Sequence, residues 1–238
     1  FSEKETNVLV YDMVEAIKKA KTDEKIKGIS IETDGLRAGM TQLDAVRTAL
    51  QDFKKSGKFV YAYGNNVSQP AYYLGSVADE YFLNPAGGIE LKGLSTEVLY
   101  MKSFTEKFGI GTEIIRHGKY KSAVEPFMRD DMSPENKEQI STMLNDLWSN
   151  NATKIAASRK MDVNQFKTVV DSLYGIIPDL SLKYKLANRL IQKTEYDNLL
   201  KNKLKIKEKD KLNRISFSKY IGSYEEENIK KDDQIAVL

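Results

Sequence analysis

The chain has 238 residues, enough to bury a sizeable core as one large domain or one and a half. Its 37 basic and 34 acidic side chains nearly balance, which argues against a dedicated nucleic-acid binder, and no nucleic-acid partner is expected. With no cysteine, disulfides, zinc thiolates and thiol catalysis are excluded; with one histidine, a Ser-His-Asp triad or a His-based metal site would rest on His117 alone, so no metal or cofactor is expected.

Residues 8–21 place Val10, Met13, Val14 and Ile17 at helical spacing, with charges on the opposite face. In Lys25–Thr33, Ile29 and Ile31 alternate with Ser30 and Glu32, the period of a half-buried strand. The loop Asp34–Gly39 follows. Thr41, with Asp44 three residues on, is placed to cap a helix that carries Leu43, Val46, Leu50 and Phe53 on one stripe and ends at Gly57. Phe59–Tyr63 reads as the next strand, and strand, helix and strand imply a right-handed crossover and a mostly parallel sheet. Gly64–Gln69 reads as a loop, and Pro70 as the first turn of a helix reaching about Ala78. Glu80–Leu83 reads as a short strand stopped by Asn84-Pro85, with Gly87-Gly88 turning the chain.

A helix lined by Val98, Met101, Phe104 and Phe108 is predicted to end at Gly109, and Thr112–Arg116 to be a strand. That strand leads into Arg116-His117-Gly118-Lys119-Tyr120-Lys121-Ser122-Ala123-Val124-Glu125-Pro126-Phe127. Ser133 is then an N-cap and Pro134 a first helical residue, opening a long helix with Ile140, Met143, Leu144, Leu147, Trp148 and Ile155 along one side. Asp162 caps a helix containing Phe166, Val169 and Val170, and Leu182, Leu186 and Leu190 suggest one more. From Lys201 to Lys211 lysines alternate with mixed partners. Interleaved Glu208 and Asp210 make 201–233 read as a solvated linker. Gln234–Leu238 reads as the opening of a further strand. No run of about eighteen apolar residues occurs that would span a membrane as a helix.

Lys121 is the candidate general base. A lysine acts as one only when neutral, and near pH 7–8 that requires losing its proton about three pH units below its ordinary value of about 10.4, worth roughly 4 kcal/mol. Apolar burial or a neighbouring cation achieves this. Tyr120, Ala123, Val124 and Phe127 are the apolar neighbours in sequence, and Lys119 is a cation two residues away. From spacing alone, the plainer reading is an exposed loop lysine paired with Glu125 or Asp130. A nucleophile is harder to find. Ser122 is adjacent, but neighbouring side chains diverge on a strand and do not face each other on a helix. Ser68 stands at a helix mouth, where N–H groups could receive an oxyanion, although a helix cap explains it equally. His117 has no second ligand at a recognisable spacing, and neither Gly87-Gly88 nor Gly109-Ile110-Gly111 is followed by the lysine-serine pair of a phosphate loop.

Tyr120-Lys121-Ser122-Ala123-Val124-Glu125-Pro126-Phe127 and Arg129-Asp130-Asp131-Met132-Ser133-Pro134 closely resemble the N-terminal half of the long-form signal peptide peptidases (SppA, or protease IV). The resemblance runs back through Leu91-Lys92-Gly93-Leu94, Leu83-Asn84-Pro85, Ala78-Asp79 and Ala71-Tyr72-Tyr73-Leu74, and forward to Ile215–Tyr220. It implies an α/β, ClpP/crotonase-like fold, a mostly parallel sheet flanked by helices, here with a helical C-terminal extension. It also implies a serine endopeptidase of Ser/Lys dyad type, built from tandem halves, in which Lys121 is the base and the C-terminal half supplies the serine. Gln69 stands where catalytic halves of the family carry the nucleophile, and Asp34–Gly39 lacks their Ser-Pro-Gly-Gly-like turn. On this reading residues 1–200 are the base-bearing half, 201–233 a linker, and 234–238 the start of the serine-bearing half, and the chain alone is inactive. The implied substrates are signal peptides or other apolar extended peptides, and the implied assembly is a homotetramer. The implied location is the bacterial inner membrane, anchored by a preceding segment, with the catalytic domain outside the cytoplasm. A non-catalytic scaffold or assembly domain is the alternative. An acyl-CoA enzyme of crotonase type shares the fold but leaves the lysine motif without a purpose.

Overall fold

The computed structural model describes residues 8–115, 117–118, 121–207 and 209–228. In chain order its elements begin α1 (Val10–Thr22), β1 (Gly28–Glu32), α2 (Met40–Lys54), β2 (Phe59–Val67), α3 (Gln69–Gly75), β3 (Glu80–Ile89) and α4 (Lys102–Lys107). They continue with α5 (Glu125–Met128), α6 (Pro134–Ser158), α7 (Val163–Asp171), α8 (Pro178–Lys183), β4 (Arg189–Leu190), α9 (Lys193–Lys203) and α10 (Phe217–Asn228). Two compact units divide the chain, one comprising everything up to Leu91 and from Ile155 onward, the other Lys92–Lys154.

The first unit is built on a parallel sheet in the order β1-β2-β3-β4. Its β2 is apolar on both faces because both faces are covered, as parallel sheets flanked by helices require. Tyr61 and Tyr63 point to one side, where they join Phe82, Tyr196 and Leu200 in a buried cluster closed by α9. The rings of Tyr63 and Tyr196 stack at 5.0 Å. On the other side Tyr81 lies 5.2 Å from the ring of Tyr72 in α3, and Gly75 lets α3 approach Ala62 and the Tyr81 ring. The expected α/β class, a parallel sheet with flanking helices, is what is observed.

Several local expectations are corrected. Gly64–Gln69 is not all loop, since β2 continues to Val67, and Asn84-Pro85 does not end β3, which continues to Ile89. Pairing follows Gly64↔Leu83, breaks, and resumes at Asn66↔Gly88, so Asn84–Gly87 bulge opposite Asn65. A proline without an N–H is tolerated at such a bulge. A Cβ on Gly87 would lie 2.0 Å from the carbonyl oxygen of Asn65, so the close approach requires glycine. Gly39, not Thr41, caps α2, its N–H donating to Gln42 Oε1 at 2.9 Å. Leu190 belongs to a strand, because Asn188 N and Ile191 N donate to Tyr81 O and Leu83 O across the sheet edge. The stretch read as a solvated linker carries α10, whose Tyr220 and Ile221 are buried and whose Tyr220 hydroxyl donates to Asp23. Residues 234–238 lie outside the described residues.

In the second unit the predicted helix from Val98 shortens to α4, and residues 112–115 form no strand: Ile115 is 94% exposed and no neighbouring strand pairs with it. Ser133 caps α6 as predicted, accepting from Asn136 N at 3.2 Å. The long apolar stripe of α6 is only partly covered, with Met143 and Leu147 exposed. Met101 N donates to Pro126 O at 2.7 Å, and Asp130 accepts from Ser103 N and Oγ, which ties the start of α4 to the turn around α5.

Candidate functional site

Lys121 sits immediately before a 3₁₀ turn, Ser122–Val124, which runs directly into α5. Three- and four-residue helices have no stability of their own, so their geometry comes from what holds them. Among residues 121–128 only Glu125 is buried, at 1% exposure. Its carboxylate accepts from Ser133 N at 3.2 Å, from Ser133 Oγ, and from Asn136 Nδ2 at 3.1 Å. Lys121 itself is exposed, as are His117 and Gly118, and Ser122 is half-buried. The two predicted neighbours Lys119 and Tyr120 lie outside the described residues, as does Arg116.

Asp130, one of the two carboxylates offered as a simple partner for Lys121, is engaged by Ser103. That hydrogen bond holds its carboxyl below the ordinary range against the opposing effect of desolvation. Glu125 is likewise engaged by the first turn of α6. Burial pushes its carboxyl up, but the hydrogen bonds from Ser133 and Asn136 outweigh burial and leave it below the usual carboxylate range. The turn therefore presents a lysine at the surface while its carboxylates serve the scaffold.

Ser68 and Gln69 belong to the first unit, Lys121 and Ser122 to the second. Ser68 is the N-cap of α3, its Oγ accepting from Ala71 N at 3.4 Å, and Gln69 is the first residue of that helix. The loop after β1 is equally committed: Asp34 accepts from Asn65 N, Asn66 N and Asn65 Nδ2. These bonds tie the loop after β1 to the end of β2. The first unit thus offers no activated hydroxyl at Ser68–Gln69. A groove of about 630 Å³ follows the outer edge of β1 between Ile26, Ile29 and Phe59 and the segment Leu212–Phe217, and contains neither Lys121 nor Ser68. Among the described residues no group of three acidic or histidine side chains is placed to hold a metal ion.

Sequence reasoning singled out Lys121 from its motif and offered Glu125 only as an ion-pair partner for it, missing the burial of Glu125 against the first turn of α6. The available signal was a glutamate one helical turn after the lysine and eight residues before a Ser-Pro helix start.

The relatives define the class of protein first. The chain is 37% identical over 187 residues to Protease 4 of Salmonella typhi, an overlap of 76% of this chain and 30% of that protein. It is 32% identical over 241 residues to Protease 4 of Haemophilus influenzae, covering 97% of this chain and 39% of that one. It is also 32% identical over 211 residues to the chloroplastic serine protease SPPA of Arabidopsis thaliana, covering 86% and 30% respectively. The model of peptidase family S49 matches residues 52–209, most of the chain and the whole lysine-bearing turn, and the chain belongs to that family. The resemblance to SppA-type proteases read from the sequence is borne out at this level, and the chain spans 30–39% of the length of these relatives.

Proposed function

We propose that this chain is the base-bearing part of a serine endopeptidase of Ser/Lys dyad type that hydrolyses cleaved signal peptides or other apolar extended peptides. The observation that supports the reading is that a member of peptidase family S49 carries Lys121 just before an anchored turn, while Gln69, which on the family resemblance stands at the nucleophile's position, opens a helix capped by Ser68. A glutamine amide does not attack a peptide carbonyl usefully. The serine therefore comes from a C-terminal half beyond these residues. Its Oγ attacks the scissile carbonyl, Lys121 Nζ takes the hydroxyl proton, and the same amine later protonates the leaving nitrogen as the acyl-enzyme forms. Water then releases the acyl group with Lys121 again as base.

Lys121 is exposed here, so on this reading the serine-bearing half or a neighbouring protomer buries it when the base acts. The apolar side chains beside it, Phe127 and Met128, are 42% and 38% exposed, which suits either a covering protein surface or an apolar substrate. The substrate binds extended, adding main-chain hydrogen bonds beside a strand. On the family resemblance the assembly is a homotetramer. Its place is the bacterial inner membrane with the catalytic domain outside the cytoplasm; among the described residues no helix is long and apolar enough to cross a membrane.

The isolated chain is expected to show no hydrolysis of an apolar peptide. Hydrolysis by it that survives Lys121→Ala and disappears in Ser68→Ala would overturn both the base and the missing-nucleophile assignments.

A further inference from the structure

We propose that Glu125 is a positioning residue for Lys121, a buried carboxylate that fixes the turn carrying the lysine onto the N-terminus of α6. The inference rests on Lys121 being the base.

The start of α4 ties this turn down through Met101 N on Pro126 O, and one side chain of the turn itself adds a second anchor. Residues 121–128 contribute one buried side chain, and it is a carboxylate rather than a hydrophobe. Burying a charge is costly unless every lone pair is answered. Here the first turn of α6 answers it: Ser133 through its N–H and its hydroxyl, and Asn136 through its side-chain amide. Ser133 is also the N-cap of the 25-residue α6 and accepts from Asn136 N, so capping residue and carboxylate are joined in one network. A negative group at the start of a long helix is favoured by its dipole as well as by its unpaired N–H groups. Glu125 follows Lys121 by one turn, and its own N–H donates back to Ser122 O. Locking the carboxylate therefore locks the backbone from Ser122 to Arg129, whose N–H closes onto Glu125 O at 2.9 Å. Glu125 thus fixes the backbone that begins one residue after Lys121.

A carboxylate suits this post better than its neutral isostere. It offers acceptor oxygens to all three donors, whereas glutamine offers one acceptor oxygen and turns an NH₂ group toward N–H or O–H donors. Glu125→Gln keeps the volume and disturbs the lock. Glu125→Asp keeps the acceptors on a stem one methylene shorter.

The test is steady-state kinetics of the full-length protein on an apolar peptide, with folding of each variant checked by thermal denaturation. Misplacement of a catalytic group by about 1 Å costs on the order of 100-fold. Glu125→Gln is expected to lower kcat by roughly that factor with KM changed less than about threefold, because the lysine acts in the chemical step. Glu125→Asp is expected to recover at least about tenfold of the loss, and Asn136→Ala, which removes one donor, to lower kcat in the same direction by a smaller factor. A folded Glu125→Gln enzyme with the parent kcat would overturn the inference, as would a loss expressed only in KM or one that Glu125→Asp does not reduce. Lys121→Ala separates the two claims. If it retains activity, the base assignment fails; if it is inactive while Glu125→Gln is fully active, only the positioning role fails.

Discussion

At Glu125 two effects act in opposite directions on one carboxyl. Burial pushes it up, and the donors of Ser133 and Asn136 more than reverse that. A group whose folded value is depressed adds stability above its unfolded value, about 4.3 for glutamate, and loses that contribution as pH falls through the lower folded value. The amide resonance of Ser133 is therefore expected to report a carboxyl titration below the ordinary glutamate range, and Glu125→Gln to abolish it. Arg47 is the comparable residue in the first unit. It is 1% exposed, and its guanidinium donates to Tyr73 O, to Ser76 Oγ at 2.8 Å and to Ser158 Oγ at 2.6 Å, beneath the Tyr73 ring. Removing it strands buried acceptors. Arg47→Ala is expected to destabilise the protein by about 3 kcal/mol in chemical denaturation, and Arg47→Lys to rescue little, since a single ammonium does not reproduce the fork. The sequence revealed the caps Ser133 and Asp162, and singled out Lys121, because each carries a local signature, a cap or a motif. It concealed the roles of Arg47 and Glu125 because their partners lie on other elements: Ser158 is 111 residues from Arg47.

At the scale of elements, β3 shows where local reading stops. Asn84-Pro85 and Gly87-Gly88 carry the chemistry of a turn, and from sequence they end a strand. In the fold Asn84–Gly87 form a bulge and Gly88 pairs with Asn66, because pairing with β2 resumes there. Whether turn residues reverse a chain or bulge it depends on the neighbouring strand, which no local window contains. Gly87→Ala would drive its Cβ into the Asn65 carbonyl, and it is expected to cost roughly 2 kcal/mol or more, whereas Gly111→Ala, with open space around its Cβ, should be near neutral. Paired thermal denaturation checks the contrast. The strands β1 and β2 and the caps of α6 and α7 were legible, since alternation and capping are local. Strand β4 was not: two residues give no period, and Leu190 continued a helical spacing from Leu182 and Leu186. The burial of Tyr196 in α9 was hidden for the same reason, as its partners Tyr63 and Phe82 come from β2 and β3.

For the whole molecule, most exposed large apolar side chains among the described residues lie in the second unit, including Leu99, Phe104, Phe108 and Ile115. The predicted stripe on α6 is real as a pattern but is only partly covered by the described residues, with Met143 and Leu147 both 53% exposed. Such a surface around a lysine motif is what a part of a larger enzyme would expose, in keeping with a chain that covers about a third of its relatives. Sequence carried the family, and on the proposed reading the covering surface and the nucleophile come from other polypeptide. The most direct test is hydrolysis of an apolar peptide by the full-length protein with and without Lys121→Ala, both shown to be folded. Removal of the base is expected to lower kcat by about 10²–10⁴-fold, the range of general acid–base catalysis. A folded Lys121→Ala enzyme with undiminished kcat would contradict the account.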